Sequence, residues 1–244
     1  MKVTRFRDLT LFEVEGKKFL LACDSIGAIG AKEGDVVHVS EEVVGYFLCR
    51  VPLMELLAQG AGPDIVVLTL ANEWMPTGQG VSRGVAMALE EIGIDSSMIL
   101  NGSTEENIAT IQTGTGITVI GSVGDDFTPS VSPAGSVVCA LGLPKVGDAV
   151  MEERRDIVPL TLIRELVSLE GVNEILPVGS KGCIYEAEEM ARTSGLRFLP
   201  DVDLPDWACE SAGPACVVLA SVSDEEILSH IELPVTRLGR LEQE

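Results

Sequence analysis

The chain has 244 residues, 46% of them hydrophobic, so it can bury a sizeable core as one large domain or two smaller ones. This composition excludes intrinsic disorder. Seventeen Lys and Arg stand against 38 Asp and Glu, and the net charge is −21. Such acidity argues against nonspecific binding to nucleic acid or to anionic membranes, because both are polyanions. It does not exclude a phosphorylated ligand, since Mg²⁺ held by carboxylates can reverse the local charge.

The histidines and cysteines show no spacing typical of a metal site or a catalytic triad. The sequence has two histidines and no CxxC or HExxH pattern. Most of the six cysteines lie in apolar runs, which predicts free, structural thiols in a reducing cytoplasm. No signal peptide is visible, and no run approaches the roughly 20 apolar residues that a membrane span needs. We therefore expect a soluble, cytoplasmic protein.

Short apolar runs alternate with helical periodicity along the first half of the chain. KFLLAC (18–23) is typical of a buried strand that delivers Asp24 to its carboxyl end. Helical spacing follows at 41–51 and 53–59, where Pro52 is expected to interrupt the helix or to start its second segment, and again at 81–92. Further strands are predicted at 64–70, 97–100 and 116–123.

A segment rich in Pro, Ser and Gly at 125–136 is typical of a linker. We therefore divide the chain into an N-terminal domain, residues 1–135, and a C-terminal domain, residues 136–244, both of mixed α/β structure. In the second half the pattern predicts strands at 136–141, 196–199 and 215–221, helices at 159–170 and 183–194, and a short helix from Asp224.

The first candidate for chemistry is DSIGAIGAKEGD, which begins at Asp24. Gly27 and Gly30 allow backbone N–H groups to approach a ligand closely, and with Lys32 they could cradle phosphate oxygens. The order and spacing of a P-loop or of GxGxxG are missing. A plain Gly-rich hairpin explains the same pattern, so both interpretations stay open.

Two further segments in the first half carry candidate polar groups. Glu55 lies among apolar residues, where a carboxylate is costly unless it is paired or bound to a metal; pairing with Arg50 or a solvent-facing position would also explain it. In LNGSTEEN a predicted strand is followed by small hydrogen-bonding groups that could contact a nucleotide. The same residues could instead cap a helix. They are Asn101, Gly102, Ser103 and Thr104, ahead of Glu105 and Glu106.

One candidate lies in the second half. PVGSKG places Lys181 at the predicted start of a helix, where backbone amides form an anion site that a lysine would reinforce. An ordinary loop with a solvated lysine is the alternative. Four aromatic side chains could stack on a ligand, although core packing is the favoured explanation for each of them: Trp74, Tyr185, Phe198 and Trp207.

Taken in order, these segments resemble the aminoimidazole-ribotide synthase superfamily, which includes thiamine-monophosphate kinase, selenophosphate synthetase and a hydrogenase maturation protein. KKFLLACDSIGAIGAK resembles the strand that leads to an Asp and glycines, MELLAQGAGP the helix with a metal-binding Asp, and LNGSTEEN the GGDT turn. The resemblance implies a two-domain α/β (α+β) fold. It also implies an N-terminal sheet that pairs into a barrel across a homodimer, and a C-terminal α/β domain.

The resemblance further implies ATP-dependent phosphorylation or activation of a small polar substrate, with Mg²⁺ bound by carboxylates. The residues at matching positions are expected to bind Mg²⁺ and to contact ATP. Asp24 and Lys181 are expected to be the catalytic residues. The expected metal ligands are Asp8, Asp24, Glu55 and Glu105; the expected nucleotide contacts are Gly27, Gly30, Lys32, Asn101, Gly102, Ser103 and Thr104.

Departures from the pattern argue against thiamine-monophosphate kinase itself. Where that family has adjacent acids near the amino terminus, this chain offers only Asp8. The GGDT acid falls on Ser103, so Glu105 or Glu106 must replace it, and the Asp of the SDGL helix start falls on Lys181.

One branch of the superfamily, which includes alpha-ribazole kinase, resembles the chain in RDLTL, ACDSIGAIG, NGSTEEN and PVGSKG. That resemblance implies phosphorylation of the 5′-hydroxyl of alpha-ribazole in salvage of the lower cobalamin ligand. Two alternatives remain: a kinase for a thiamine precursor or another small alcohol, and a nucleotide-binding protein without catalysis.

Overall fold

In a computed structural model, which describes residues 1–152 and 154–243, the chain forms two compact units. One consists of Met1–Leu56 and Ala61–Phe127, the other of Leu57–Gly60 and Thr128–Glu244. The strands are β1 (Lys2–Phe6), β2 (Leu9–Val14), β3 (Lys17–Gly27), β4 (Ile29–Gly30), β5 (Val37–His38), β6 (Ile65–Leu70), β7 (Leu100–Ser103), β8 (Gly114–Val123), β9 (Val137–Leu141), β10 (Val172–Pro177), β11 (Arg197–Pro200), β12 (Val218–Val222) and β13 (Val235–Glu242). The α-helices are α1 (Glu41–Ala58), α2 (Gln79–Glu91), α3 (Ala149–Glu152), α4 (Leu160–Ser168) and α5 (Gly182–Ser194). The domain limits predicted from the sequence stay a prediction.

The first unit contains a six-stranded sheet in the order β1-β2-β3-β8-β6-β7. Neighbours are antiparallel except β6 and β7, which run parallel. Side chains alternate between the two faces of a strand, so the pairing register identifies each face. Leu20 of β3, Val119 of β8 and Val66 of β6 are buried on one face. That face is the core side of the sheet.

Helices α1 and α2 approach each other very closely at two glycines. A Cβ on Gly45 would lie 1.9 Å from the Val81 carbonyl oxygen, and a Cβ on Gly84 would lie 2.0 Å from the Glu42 carbonyl oxygen. Pro52 lies inside α1 without ending it, so the predicted interruption is wrong. Full burial of Leu48, Leu53 and Met54 nearby, which brings hydrophobic stabilisation, offsets the missing backbone hydrogen bond.

The second unit has a five-stranded antiparallel sheet in the order β10-β12-β9-β13-β11. Every residue of β9 and β12 is buried, which shows that both faces of this sheet are covered. Helix α5 packs on one face through Cys183, Ala187 and Met190. Among the residues that the structure describes, no helix is long and apolar enough to cross a membrane.

The sequence pattern predicts most of these elements correctly. The helices predicted at 159–170 and 183–194 are confirmed as α4 and α5, and the strand at 136–141 as β9. The strand predicted at 97–100 is wrong, because Ser96–Met98 forms a 3₁₀ turn and the strand begins only at Leu100. All six cysteines are free, as expected, although Cys23 and Cys209 are exposed.

Candidate functional site

Asp24 lies within β3 rather than at its end. The strand continues to Gly27 because its pairing with β8 extends to Gly114, so the predicted position at the carboxyl end is wrong. The Asp24 carboxyl is partly buried, and this burial raises its pKa. A carboxylate in such a place gains free energy from a nearby cation.

The Gly-rich segment after β3 is organised by Asp35, which is 6% exposed. The Asp35 carboxylate accepts hydrogen bonds from the Lys32 amide at 2.9 Å and from the Thr113 amide and hydroxyl, both at 2.7 Å. Gly30 is required here, because a Cβ would lie 2.3 Å from the Thr113 hydroxyl oxygen at a φ of +155°. The segment is therefore folded tightly against the residues that precede β8.

Lys32 does not point freely into solvent. Its Nζ lies 2.8 Å from a carboxylate oxygen of Glu73 and donates to the Thr110 carbonyl oxygen at 3.2 Å. The hydroxyl of Thr77 also donates to Glu73, at 2.6 Å. Partial desolvation acts to raise the pKa of Glu73, but the hydrogen bonds from Lys32 and Thr77 bring that pKa below its usual value. Any phosphate that binds Lys32 must compete with this ion pair.

Asn72, which lies two residues after the end of β6 and is fully buried, connects the same segments. Its side-chain NH₂ donates to the Thr110 hydroxyl at 2.6 Å and to the Gln112 carbonyl at 2.9 Å, while its side-chain oxygen accepts from the Gly114 amide at 2.8 Å. Its backbone carbonyl accepts from the Glu105 amide. Asn72 thus holds both ends of the loop between β7 and β8, the β8 end through its side chain and the β7 end through its backbone carbonyl.

The residues Asn101, Gly102 and Ser103 belong to the edge strand β7, not to a turn. A Cβ on Gly102 would lie 2.0 Å from the Leu68 carbonyl oxygen, so only glycine fits beside β6. No helix follows in this described stretch, and the helix-capping alternative is wrong. The Glu105 carboxylate instead accepts from the amides of Asn107 and Ile108, which lowers the Glu105 pKa.

A cavity of about 460 Å³ opens beside this edge strand. Leu68 and Leu70 form its apolar floor, and Trp74 forms one wall. Polar residues of α2, of the 3₁₀ turn and of β7 complete it: Ser82, Ser96, Ser97, Asn101, Ser103 and Thr104. Pockets of this size and mixture of apolar floor and polar rim are typical of small-molecule sites.

The other predicted site residues belong to other elements of the chain. Asp8 is exposed in the turn between β1 and β2, and Glu55 is half-buried in α1. Lys181 belongs to the second unit, where its Nζ donates to the Tyr185 hydroxyl at 2.9 Å; this hydrogen bond raises the Lys181 pKa. Within the described part of the chain, no three His, Cys, Asp or Glu side chains gather closely enough to hold a metal ion. The assignments of metal, nucleotide and catalytic residues stay predictions.

Sequence reasoning missed Asp35, Asn72 and Glu73. One signal was present: Asn72 and Glu73 follow a strongly apolar strand after a single alanine, in a position where polar side chains commonly reach a site at the edge of a sheet. Of the four aromatic candidates, Trp74 alone lines the cavity beside β7, and Phe198 and Trp207 pack against the core of the second unit.

Neither a protein-family model nor a curated protein matches this sequence. Solved structures do match. Thiamine-monophosphate kinase from Aquifex aeolicus has a TM-score of 0.69 at 16% identity, covering 98% of this chain and 90% of that one. The structure titled AaThiL complexed with AMPPCP and TMP has a TM-score of 0.64 at 18% identity, with 97% and 85% covered. PurL from T. maritima complexed with AMPPCP has a TM-score of 0.57 at 18% identity, covering 97% of this chain and 38% of that one.

These structures belong to the aminoimidazole-ribotide synthase superfamily, and the likeness shows that this chain has the same mixed α/β fold. The fold predicted from the motifs is confirmed. The six-stranded sheet of the first unit remains open over its described residues, with β1 and β7 as its edges.

Proposed function

We propose that the protein is an ATP-dependent phosphotransferase that phosphorylates a hydroxyl group of a small molecule, with the 5′-hydroxyl of alpha-ribazole as the first acceptor to test. The observation that carries the proposal is the likeness, over 97% of the chain, to a kinase structure complexed with AMPPCP and TMP. The choice of alpha-ribazole rests on the motifs ACDSIGAIG, NGSTEEN and PVGSKG, which resemble the branch that uses this acceptor.

Phosphoryl transfer requires positioning and charge neutralisation more than covalent chemistry. The acceptor oxygen attacks the γ-phosphorus, the bond to the β,γ-bridging oxygen breaks, ADP leaves and the hydroxyl proton passes to solvent. The partly buried Asp24 carboxylate fits a cation, because burial already disfavours its charge. Bound Mg²⁺ would neutralise phosphate charge there, with Asp8, Glu55 and Glu105 as further predicted ligands.

The nucleotide would contact Gly27, Gly30 and Lys32 on one side and β7 with Thr104 on the other. Lys32 would exchange its ion pair with Glu73 for phosphate oxygens. From the second unit, Lys181 would approach phosphate or substrate. A kinase with a thiamine precursor or another alcohol as acceptor, and a nucleotide-binding protein without turnover, are the competing functions.

We also propose that the protein is a homodimer. On the face of the first sheet opposite its core, the register aligns Leu21, Ile120 and Ile65, and Ile65 is 48% exposed. Phe12 and Phe19 stack on the same face, with ring centroids 5.2 Å apart. We call these five residues the open face. A second copy would cover this apolar surface, as the resemblance implies.

The test measures ADP release by the purified protein with Mg-ATP, with alpha-ribazole or thiamine monophosphate as acceptor. We expect ADP release with alpha-ribazole and a monophosphorylated product in the mass spectrum. Asp24→Asn should reduce turnover at least about a hundredfold, as losses of electrostatic stabilisation do. Its melting temperature at neutral pH should not fall, because the substitution removes a partly buried charge.

Exposed Asp125→Asn serves as the matched control and should retain wild-type turnover. Turnover with thiamine monophosphate but not with alpha-ribazole would show that the protein is a kinase with a different acceptor. Absence of ADP release with both acceptors, together with an unchanged melting temperature in ATP, would contradict the proposal. Full activity of Asp24→Asn would contradict the assignment of Asp24 alone.

A further inference from the structure

The cavity beside β7 differs from the rest of this acidic protein in its charge. Among the described residues that line it, none carries a charged side chain, although the chain has a net charge of −21. Two carboxylates contact its lining residues. Glu106 accepts hydrogen bonds from the Trp74 amide at 2.7 Å and the Thr104 hydroxyl at 2.9 Å, and Asp95 accepts one from the Ser97 amide at 2.9 Å. Both carboxylates are therefore engaged by the cavity walls.

The aromatic wall is held in place. Trp74 is 44% exposed, so its ring offers a face to a ligand. Its backbone is fixed by Glu106, and its ring packs against Gly78, where a Cβ would lie 3.0 Å from the Trp74 ring. A rigid indole beside an apolar floor can stack on a planar ring at little conformational cost.

Hydroxyl groups surround the other sides. The side chain of Asn101 is not among them, because its register opposite Val67 puts it on the sheet face away from Leu68, where its side-chain oxygen accepts from the Gly102 amide at 2.8 Å. Ser82 comes from α2, and Ser96 and Ser97 come from the 3₁₀ turn. Such groups both donate and accept hydrogen bonds, which suits the hydroxyls of a sugar. They provide no cation for a phosphate, which proteins commonly bind through Arg or Lys.

We infer that this cavity binds the uncharged nucleoside part of a ligand, with a heteroaromatic ring against Trp74 and sugar hydroxyls against Ser82, Ser96 and Ser97, and that phosphate groups stay outside it. The inference deepens the proposed function and rests on it for the choice of ligands. Two sources share this chemistry: the adenosine part of ATP and the acceptor nucleoside. A neutral nucleoside acceptor fits the lining, whereas the phosphate of thiamine monophosphate does not.

The test is isothermal titration calorimetry of the wild-type protein and of Trp74→Ala with adenosine, alpha-ribazole and inorganic tripolyphosphate. We expect at least one nucleoside to bind the wild type. Trp74→Ala should weaken that binding about ten- to a hundredfold, the loss typical of base stacking on an aromatic side chain. Tripolyphosphate binding should be the same in both proteins. Met87→Ala, which removes an exposed apolar side chain from α2 that is not among the residues lining the cavity, is the control and should bind nucleosides as the wild type does.

Competition identifies the source. If AMPPCP displaces the bound nucleoside, the cavity holds the adenosine part of ATP; if alpha-ribazole binds alongside AMPPCP, it holds the acceptor. Equal nucleoside affinity of the wild type and Trp74→Ala would overturn the inference, as would absence of nucleoside binding or tripolyphosphate binding that depends on Trp74. Nucleoside binding through Trp74 without any ADP release would contradict the kinase and keep the cavity assignment. ADP release with KM values for ATP and for the acceptor that are unaffected by Trp74→Ala would contradict the cavity assignment and keep the kinase.

Discussion

Asp35 shows how a single buried carboxylate can define the shape of a candidate site. Its carboxylate accepts hydrogen bonds from the Lys32 amide and from the amide and hydroxyl of Thr113. A side chain at position 30 would collide with this group, so only glycine fits there. A buried charge is tolerated when several donors compensate its lost hydration. The three hydrogen bonds give that compensation and fix the Gly-rich segment against the start of β8.

Asp35→Ala should lower the free energy of unfolding by about 1–3 kcal/mol, because it leaves buried donors without a partner. Urea denaturation followed by circular dichroism measures the change. Glu33→Ala removes an exposed carboxylate from the same segment and should change the free energy by less than about 0.5 kcal/mol. Equal effects of the two substitutions would show that the Asp35 hydrogen bonds contribute little.

At the scale of single residues, the sequence predicts the Gly-rich segment after β3 but not the residues with which that segment forms hydrogen bonds and ion pairs. The Gly-rich run and Asp24 are recognisable in the sequence. Thr113, which hydrogen-bonds Asp35, lies 78 positions away from it, and Glu73, the ion-pair partner of Lys32, lies 41 positions away. Such pairings depend on how strands align. Periodicity and local motifs carry no information about them, which is why Glu73 was missed although it follows a clear strand.

Elements form where local pattern and tertiary packing agree, and the close contact of α1 and α2 depends on glycine in both helices. Gly45→Ala should destabilise the protein by about 1–3 kcal/mol, although alanine favours a helix by roughly 1 kcal/mol over glycine. The reason is the Val81 carbonyl oxygen, only 1.9 Å from the new Cβ. Thermal unfolding by calorimetry measures the loss.

Gly62→Ala is the control, since a Cβ there meets no atom within 4 Å. It should leave the melting temperature within a few degrees of the wild type, because a shift of 1 kcal/mol moves it by roughly 2–4 °C in a chain of this size. A Gly45→Ala protein as stable as Gly62→Ala would mean that the helices can separate without loss.

The elements that the sequence did not predict have physical reasons of their own. Strand β13 carries Arg237, Gly239 and Arg240, so it lacks an apolar run, and its register with β9 shifts between Arg237 and Gly239. Strand β7 has one apolar residue, Leu100, and exists because glycine allows it to lie against β6. Both strands form because they pair with neighbouring strands, and their own sequences show little preference for a strand.

At the scale of the whole molecule, two properties act against each other in the proposed dimer. The open face exposes apolar surface, whose burial favours association. Each protomer has a net charge of −21, and two such chains repel. Salt screens this repulsion over distances of about 10 Å at 0.1 M. Association should therefore strengthen as the salt concentration rises.

Sedimentation velocity should give a mass near twice 25.9 kDa for the wild type, with tighter association at about 0.5 M salt than at about 0.05 M. Ile65→Glu adds a charge to the open face and should shift the protein to the monomer mass without lowering its helix content, because Ile65 is half-exposed and not part of the core. Ile108→Glu adds the same charge to an exposed loop residue and should stay dimeric. A wild-type monomer at all salt concentrations would contradict the dimer, and an Ile65→Glu dimer would place the interface on another surface.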